Sequence, residues 1–253
     1  MQNPIISVNN LVKRYGDFEA VKGISFDVYE GEIFGLLGPN GAGKSTTLEI
    51  IETLRDKTSG KIIVNGADLD ESPEEIKKII GVQLQTSGFY PGLNLVELLQ
   101  MFAGLYNEEI DPYALLDAVN LRDKARSKFK ELSGGQKQRF SITSTLINHP
   151  KIIFLDEPTT GLDPQARRNL WYLIRDIRSR GTTVIITTHY MDEAEILCDR
   201  VAIIDSGKII SLDTPDKMID DLIGTGFERP KQVKNANLED VFIHLTGKTL
   251  REE

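Results

Sequence analysis

The chain contains one cysteine, one tryptophan and no long apolar segment. The single cysteine, Cys198, cannot form an internal disulfide, so the fold has no covalent cross-link within the chain. The longest apolar runs are short ones such as "IIFL" and "VII", and none approaches the ~18 to 20 residues of a membrane-spanning helix. The N-terminus "MQNPIISVNN" lacks the basic start and apolar core of a signal peptide. We therefore predict a cytosolic chain that acts at a membrane only through another chain.

Basic residues are also scarce. The chain has 253 residues, with 30 Lys and Arg against 38 Asp and Glu, and its formal net charge is -8. Because the phosphates of nucleic acids usually require a basic face, this balance argues against a nucleic-acid partner. Hydrophobic residues make up 40% of the chain and charged residues 27%. This composition predicts a globular protein with a sizeable core, organised as one large domain or one domain with subdomains.

Strand-like and helix-like segments occur in blocks. Residues 5–32 carry β-type residues broken by turn signals at "YGD" and "EGE", which predicts a small antiparallel sheet. "IFGLL" then predicts a buried strand, and "KSTTLEIIETLR" predicts a helix with apolar spacing through Leu48, Ile51 and Leu54. Residues 87–149 repeat apolar residues at helical intervals, and "DP" within them is a helix-start signal. We predict that they form a helical insertion.

Strands return after the insertion. "KIIFLD" and "TTVIITTH" flank the amphipathic helix "QARRNLWYLIRDIRSRG", and "RVAIIDSGKII" predicts a hairpin that turns at "DSG". The alternation predicts an α/β domain over residues 1–220, with a parallel sheet, an N-terminal antiparallel β subdomain and the helical insertion. Residues 221–253 are predicted to be a short C-terminal tail with a short helix at "NLEDVFIHLTGK".

The segment "GPNGAGKST" fits the P-loop pattern in full, with a predicted strand before it and a predicted helix after it. Its glycines allow the backbone N–H groups to turn inward around phosphates, while Lys44 supplies a point charge and the Ser45 hydroxyl can ligate Mg²⁺. The fold class is therefore predicted to be that of a P-loop NTPase. The predicted nucleotide-binding residues of this loop are Gly38, Pro39, Asn40, Gly41, Ala42, Gly43, Lys44, Ser45 and Thr46.

Two carboxylates follow a predicted buried strand in "IIFLDEP". Asp156 at the strand's end can hold the shell of a metal ion, and we predict it to be a Mg²⁺ ligand together with Ser45. Glu157 follows immediately, and we predict that it polarises the attacking water as the catalytic base. The alternative is a solvated acidic pair in a loop, which the P-loop upstream disfavours.

A second possible anion site lies in "LSGGQKQRF". Ser133 offers a hydroxyl, and the next two glycines offer unhindered backbone N–H groups at the start of a predicted helix. Since the P-loop already surrounds its own phosphates, a second anion site on this chain is most useful for a nucleotide bound by a second chain.

Few other residues suggest chemistry. His149 and His244 are predicted surface residues, while Cys198 and Trp171 fit the apolar sides of helix patterns and are predicted to pack without a polar partner. His189 differs because it directly follows the predicted strand "VIITT", and a histidine at a strand's end is a candidate site residue.

In this order, the motifs resemble those of the nucleotide-binding subunits of ABC transporters, over Ile5 to Leu212. The segment "LSGGQ" matches the family's signature without a substitution. The resemblance implies ATP and Mg²⁺ as cofactors, with Tyr15 in "LVKRYG" stacked on adenine. It also implies that Gln85 in "IGVQLQ" meets the nucleotide, Mg²⁺ and the water, with Gln83 as the nearby alternative.

The resemblance further assigns His189 to the γ-phosphate as a second catalytic residue. It implies that two ATPase domains pair head to tail when ATP is bound, as a homodimer or as a pseudo-dimer with a related subunit. Two ATP molecules would then be enclosed at one two-fold interface. The residues implied to contact the partner subunit's nucleotide are Ser133, Gly134, Gly135, Gln136 and, in the loop "GLD", Asp163.

The function implied by the resemblance is that of an ATPase that drives export through a separate integral-membrane subunit. The segments "THYMDEAEILCDRVAIIDSGKII" and "LEDVFIHLTGKTLRE" are most similar to exporter subunits of the drug and antibiotic type. The chain would lie in the cytoplasm, peripheral at the inner face of the cell membrane, with its partner docked near Gln85, around Phe89 and Tyr90. The alternative is a soluble ABC ATPase of translation or DNA repair, but such proteins usually carry two cassettes or a long coiled-coil insertion.

Overall fold

The computed structural model describes residues 3–83 and 88–228. The chain divides into two compact units, Met1–Lys217 and Met218–Glu253. The division falls at residue 217, near the predicted boundary at 220, and one helix crosses both positions. The predicted helix at "NLEDVFIHLTGK" and His244 lie outside the described residues. The strands are β1 (Pro4–Tyr15), β2 (Phe18–Tyr29), β3 (Ile33–Leu37), β4 (Ser59–Val64), β5 (Ala67–Asp68), β6 (Ile80–Gln83), β7 (Ile152–Asp156), β8 (Thr183–Thr188), β9 (Arg200–Asp205) and β10 (Lys208–Asp213).

The α-helices lie mainly between the strands of the second half of the chain and in the insertion. They are α1 (Lys44–Ile51), α2 (Pro73–Ile79), α3 (Leu95–Tyr106), α4 (Pro112–Ala118), α5 (Gly134–Ser144), α6 (Pro164–Ser179), α7 (Met191–Leu197) and α8 (Pro215–Gly224). Two short 3₁₀ helices cover Arg122–Lys124 and Phe129–Glu131.

The first sheet is antiparallel and has the strand order β2-β1-β4-β5. Strand β2 alternates buried and more exposed side chains from Ile24 to Tyr29, as expected of a sheet with one face on the core, whereas register shifts interrupt this pattern in β1. Gly16 connects them with a φ of +58°, which is the conformation that the "YGD" turn signal favours. The prediction of an N-terminal antiparallel β subdomain is confirmed.

The second sheet has the order β10-β9-β3-β8-β7-β6. Strands β9, β3, β8, β7 and β6 run parallel, and β10 pairs antiparallel with β9 through the predicted hairpin. Every residue of β3 and β8 is buried, because helices and the first sheet cover both faces. The carboxyl ends of the parallel strands meet at one edge, where Leu37, Asp156 and Thr188 lie. This edge carries the functional side chains.

The helix after β3 is shorter than its sequence pattern predicts. It ends at Ile51, because Thr53 adopts a left-handed conformation with a φ of +62°. Leu54, predicted to continue the apolar face, lies beyond the helix and is exposed, so that part of the prediction is wrong. Helix α2 was not predicted.

The insertion has its own hydrophobic core, formed by helices α3, α4 and α5 with the segments that join them. Asn94 starts α3 with a capping box to Glu97, and Asp111 starts α4 by accepting a hydrogen bond from the Tyr113 N–H. Pro112 occupies the first turn of α4, as the "DP" signal predicts. Helices α3, α4 and α5 thus lie within the predicted helical insertion.

Cys198 and Trp171 lie in the core between the parallel sheet and helices α6 and α7, as predicted from their apolar pattern. Trp171 also has a polar role that was not predicted, since its indole Nε1 donates a hydrogen bond to Glu193 Oε1 at 3.0 Å. His149 is exposed, as predicted. Among the described residues, no helix has the length and apolarity that a membrane crossing requires.

Candidate functional site

The loop from Gly38 to Gly43 connects β3 to α1 and is held close to neighbouring backbone. A side chain at Gly38 would place its Cβ 2.1 Å from the carbonyl oxygen of Ile204, which no residue except glycine avoids. Gly43 precedes α1 with a φ of +102°, and a Cβ there would lie 2.7 Å from the carbonyl oxygen of Ala20. The glycines therefore let the loop approach β2 and β9 and aim the start of α1 at the space in front of it.

A cleft of about 390 Å³ opens in front of this loop. Tyr15, at the end of β1, forms one wall and is 42% exposed, as a platform for a stacked base requires. Phe18 forms a second aromatic wall that the sequence did not predict. Its position follows from the tight turn between β1 and β2, which places it opposite Tyr15 in the strand register. The lining residues are Tyr15, Phe18, Ala20, Asn40, Gly41, Gly43, Lys44, Ser45, Thr46 and Glu157.

The ammonium group of Lys44 is buried at the base of the cleft, with 4% of the side chain exposed. Its Nζ donates to the carbonyl oxygens of Gly38 at 2.8 Å and Pro39 at 3.1 Å. It also lies 3.7 Å from Glu157 Oε1. The loop thus encloses a positive charge, and a phosphate group entering the cleft would meet that charge beside the N-terminus of α1.

Asp156 ends strand β7 and connects it to the loop and to β8. Its Oδ1 accepts hydrogen bonds from Ser45 Oγ at 3.1 Å and from Thr187 Oγ1. Thr187 Oγ1 accepts in turn from the Glu157 N–H at 3.0 Å. Thr187 was not predicted as a site residue, although it directly pairs with Asp156 in the parallel register of β7 and β8.

Ser45 and Asp156 fit the requirements of Mg²⁺, which prefers oxygen ligands. The described part of the chain contains no group of three or more His, Cys, Asp or Glu side chains placed to hold a metal ion. Water and phosphate oxygens can complete the shell of a magnesium ion that such residues hold.

Glu157 has a left-handed backbone, with a φ of +46°, which is uncommon for a residue other than glycine. Consecutive side chains of a strand point to opposite faces, but this turn brings Asp156 and Glu157 to the same edge. Glu157 Oε1 lies 3.2 Å from His189 Nδ1, without the alignment of a hydrogen bond. The carboxylate of Glu157 therefore lies between Lys44 and His189, next to the space in front of the loop.

The predicted signature residues line a second cleft of about 340 Å³. Ser133 starts α5 with a capping box, in which its N–H donates to Gln136 Oε1 at 2.9 Å and its Oγ accepts from the Gln136 N–H at 3.4 Å. Asp163 starts α6 by accepting hydrogen bonds from two backbone N–H groups. The lining residues are Ser133, Gly134, Gly135, Gln136, Arg139, Gly161, Leu162, Asp163, Gln165, Ala166 and Asn169.

The two clefts have no lining residue in common. The structure therefore brings Lys44, Ser45, Asp156, Glu157 and His189 together, and it brings the signature segment and Asp163 together elsewhere. Arg139 also lines the second cleft and was not predicted. Burial lowers the pKa of its guanidinium, although the neighbouring Asp123 opposes this effect.

Gln85 lies outside the described residues, so its predicted role stays a prediction. Gln83, the alternative, is buried at the end of β6. Phe89 packs in the core of the insertion, with its ring centroid 4.4 Å from that of Phe129 and 5.2 Å from that of Phe140. Tyr90 is 64% exposed and is therefore the better placed of the two aromatic residues to contact another chain.

A buried carboxyl group near the first cleft was not predicted. Glu52 follows the end of α1 and is 3% exposed. Burial raises its pKa from 4.5 to about 8, with smaller contributions from the charges of Asp156 and Glu49. The group is thus electrostatically linked to the candidate metal ligand.

Known families and curated proteins give one consistent result. The family model described as ABC transporter matches residues 21–160. Nod factor export ATP-binding protein I of Burkholderia orbicola is 41% identical over 224 residues, which cover 87% of this chain and 74% of that protein. Linearmycin resistance ATP-binding protein LnrL of Bacillus subtilis is 41% identical over 215 residues, which cover 83% and 69%.

Solved structures agree. An ATP-binding subunit of an ABC transporter superimposes with a TM-score of 0.77 at 29% identity, covering 96% of this chain and 99% of that one. A dimeric ATP-binding cassette in a post-hydrolysis state, bound to ADP and Pi, superimposes with a TM-score of 0.74 at 27% identity, covering 83% and 98%.

We expect Lys44→Ala to abolish tight ATP binding, because the phosphates lose the buried charge. An affinity loss of about 100-fold corresponds to the loss of charged hydrogen bonds. Isothermal titration measures it, with Lys77→Ala on α2 as a control whose side chain is exposed. An unchanged affinity in Lys44→Ala would refute the assignment of the loop.

We expect Glu52→Gln to stabilise the fold above neutral pH. The carboxyl group ionises near pH 4.5 in the unfolded chain but near pH 8 in the folded chain, so its contribution to stability falls as the pH rises between these values. Urea unfolding of both proteins should therefore show equal stability below pH 4.5 and the largest gain for Glu52→Gln above pH 8. Exposed Glu109 provides the control, Glu109→Gln. A difference that does not change with pH would contradict the buried, neutral state of Glu52.

Proposed function

The chain belongs to the ABC transporter family as an ATP-binding and ATP-hydrolysing subunit, and we propose that two ATPase subunits close over ATP to drive export through a membrane chain. The observation that carries this proposal is the separation of two clefts on one chain, one lined by the P-loop and the other by the signature segment. A P-loop and a signature segment that share no lining residue are suited to complete two different nucleotide sites. The dimeric cassette among the similar structures supports the same arrangement.

The first cleft binds the chain's own ATP. Tyr15 and Phe18 supply aromatic surface for the adenine, and the loop from Gly38 to Thr46 surrounds the phosphates with backbone N–H groups and the Lys44 charge. Phosphate oxygens then replace the carbonyl oxygens of Gly38 and Pro39 as hydrogen-bond acceptors for Lys44. The site therefore exchanges neutral acceptors for anionic ones, whose charge compensates the buried ammonium group.

Glu157 is the proposed catalytic base. Its carboxylate is nearly buried, lies at the open side of the loop and accepts a hydrogen bond from Thr160 Oγ1 at 3.3 Å. A water molecule held between Glu157 and the γ-phosphate would be aligned for attack and could transfer its proton toward the carboxylate. His189, 3.2 Å from the same carboxylate, can donate from its ring to a γ-phosphate oxygen as negative charge develops.

Magnesium would be held by the Ser45 hydroxyl and the Asp156 carboxylate, with Gln85 as the third proposed ligand. When bound, the ion neutralises charge on the β- and γ-phosphate oxygens. Thr187 holds Asp156 through its hydroxyl and fixes the backbone of Glu157 through its acceptor oxygen. A single threonine thus positions both carboxylates.

The second cleft contacts the ATP of the other subunit. The N-terminus of α5 and the backbone N–H groups of Gly134 and Gly135 offer donors to a γ-phosphate. These contacts exist only in the closed pair, so γ-phosphate binding favours closure and its loss after hydrolysis favours opening. The pair can be a homodimer or a pseudo-dimer with a related subunit, and Asp163 approaches the second chain from the start of α6.

A separate membrane chain would form the transport path, and this chain would supply the ATP hydrolysis that drives it. We place the docking surface at the groove of about 200 Å³ that Gln83, Gly88 and Phe89 line, together with exposed Tyr90, which follows Phe89 in the sequence. The chain would lie at the inner face of the membrane. The relatives named for Nod factor export and linearmycin resistance support an exporter of a drug-like, antibiotic or lipid-like compound. The alternative, an ATPase of translation or DNA repair, is not favoured by these relatives or by the net charge of -8.

We expect Glu157→Gln to bind ATP and dimerise while its hydrolysis rate falls by about 100-fold, because an amide cannot accept the proton. His189→Ala should also slow hydrolysis, but with less accumulation of dimer, since it loses a contact in the closed state. Adding Ser133→Arg to Glu157→Gln should prevent the dimer and leave ATP binding intact, because the arginine fills the partner's phosphate space.

Size-exclusion chromatography with light scattering measures the mass with and without ATP. Ser179→Arg, at the exposed far end of α6, is the matched control for the added side chain. Hydrolysis by Glu157→Gln at the wild-type rate would exclude the proposed base. A Glu157→Gln monomer at saturating ATP would exclude the homodimer and leave only pairing with a related subunit.

We expect Tyr90→Asp to retain ATP binding but to lose assembly with the membrane chain, because a desolvated charge opposes docking of an apolar helix. Phe89→Asp is a weaker test, since Phe89 belongs to the insertion's aromatic core and its loss would destabilise the fold. Co-purification with a membrane subunit that binds the wild-type chain measures assembly, and Tyr113→Asp on α4 is the control. Full assembly of Tyr90→Asp would place the docking surface elsewhere.

A further inference from the structure

One face of helix α6 contacts helix α7 and the two residues that follow α7. Four side chains of this face recur at helical spacing, and each contacts α7 or the residue pair that follows it. The four are Arg167, Trp171, Arg175 and Arg178, and their partners are, in the same order, the Asp192 carboxylate, the Glu193 carboxylate, the Ile196 carbonyl oxygen and the Asp199 carboxylate.

The contact between Trp171 and Glu193 differs from the others because it is buried. Trp171 Nε1 donates to Glu193 Oε1 at 3.0 Å, and Glu193 is 0% exposed. Its other oxygen, Oε2, has no hydrogen-bond partner within residues 3–83 and 88–228. The ion pairs at either end are partly exposed, and such pairs contribute little. A buried carboxylate that depends on one donor makes this hydrogen bond costly to break.

The two helices begin at different parts of the site. Helix α6 starts directly after Asp163, and its Ala166 Cβ would lie 2.9 Å from a Cβ at Gly135, so its N-terminus is fixed against the second cleft. Helix α7 starts two residues after His189. The His189 ring centroid lies 4.2 Å from that of Tyr190, and the Tyr190 ring lies 4.4 Å from the Arg167 guanidinium of α6.

We propose that the Trp171–Glu193 hydrogen bond positions His189 by fixing α7 to α6. The position of the imidazole then depends on α6, the helix that directly follows the "GLD" loop with Asp163. This proposal rests on the proposed function, because it takes His189 as the γ-phosphate contact. Neither Trp171 nor Glu193 lines either cleft. Both are therefore positioning residues, and their removal alters turnover more than ATP binding.

Three substitutions distinguish the effect of the hydrogen bond on catalysis from the effect of side-chain packing. Trp171→Phe retains a buried aromatic ring without the N–H, Glu193→Ala removes the acceptor, and Glu193→Gln retains an acceptor oxygen. We expect the first two to lower kcat about tenfold with KM for ATP within about twofold of the wild-type value, since a misplaced catalytic group affects the chemical step. Glu193→Gln should stay within about twofold of the wild-type kcat. Tyr172→Phe, on the exposed face of α6, is the matched control.

The same substitutions in the His189→Ala background test whether the loss of kcat acts through His189. If the pair acts through His189, kcat of His189→Ala should fall no further when Trp171→Phe or Glu193→Ala is added. A substitution that merely unfolds the chain would instead lower kcat in both backgrounds. Thermal unfolding of each variant is therefore measured alongside. Should Trp171→Phe fail to fold, the comparison between Glu193→Ala and Glu193→Gln gives the same test.

The proposal is overturned if kcat is unchanged in both Trp171→Phe and Glu193→Ala, or if their losses remain about tenfold in the His189→Ala background. It is also overturned if Glu193→Gln is as slow as Glu193→Ala. A failure of the proposed function is read separately, from His189→Ala alone. An unchanged kcat in that variant would remove the catalytic role of His189, whatever the other variants do.

Discussion

The buried ammonium group of Lys44 is the constraint on which the nucleotide site depends. A charge removed from water is tolerated only where other groups compensate it. Here the carbonyl oxygens of Gly38 and Pro39 and the carboxylate of Glu157 provide that compensation. The loop must therefore curve around the lysine, and this requires glycine where the backbone of β9 and β2 comes close. A triphosphate in the cleft would also compensate this charge. Because the protein's own groups already do so, the site is organised before the ligand binds.

The parallel sheet explains why the catalytic groups meet. The loop follows β3, Asp156 ends β7 and His189 follows β8. These three strands are neighbours in the sheet and end at the same edge. Thr187 links two of these strands through hydrogen bonds to Asp156 and to the Glu157 backbone. The signature segment lies on the insertion instead, against the start of α6. One chain therefore presents a P-loop and, separately, a signature segment that we propose contacts another chain's nucleotide.

Local patterns predicted much of this arrangement from the sequence. The P-loop, the "IIFLDEP" strand and the "LSGGQ" helix start each depend on residues close together in the chain, and the structure places them as their patterns indicate. The misses depend on contacts between distant segments. Thr187 acquires its role from the register of β7 and β8, and Trp171 gains a partner from α7. The prediction for Leu54 was wrong because Thr53, with its left-handed backbone, ends α1 before the apolar pattern ends.

The central claim is that the P-loop of one chain and the signature segment of another enclose the same nucleotide. Disulfide cross-linking tests it directly, using a mixture of chains that carry Asn40→Cys with chains that carry Ser133→Cys. Both positions line their clefts and are exposed, whereas the native Cys198 is buried. The account predicts an ATP-dependent cross-linked product of twice the chain mass, formed only when both variants are present. The same yield with and without ATP, or no cross-linked product at saturating ATP, would contradict this enclosure between two copies of the chain.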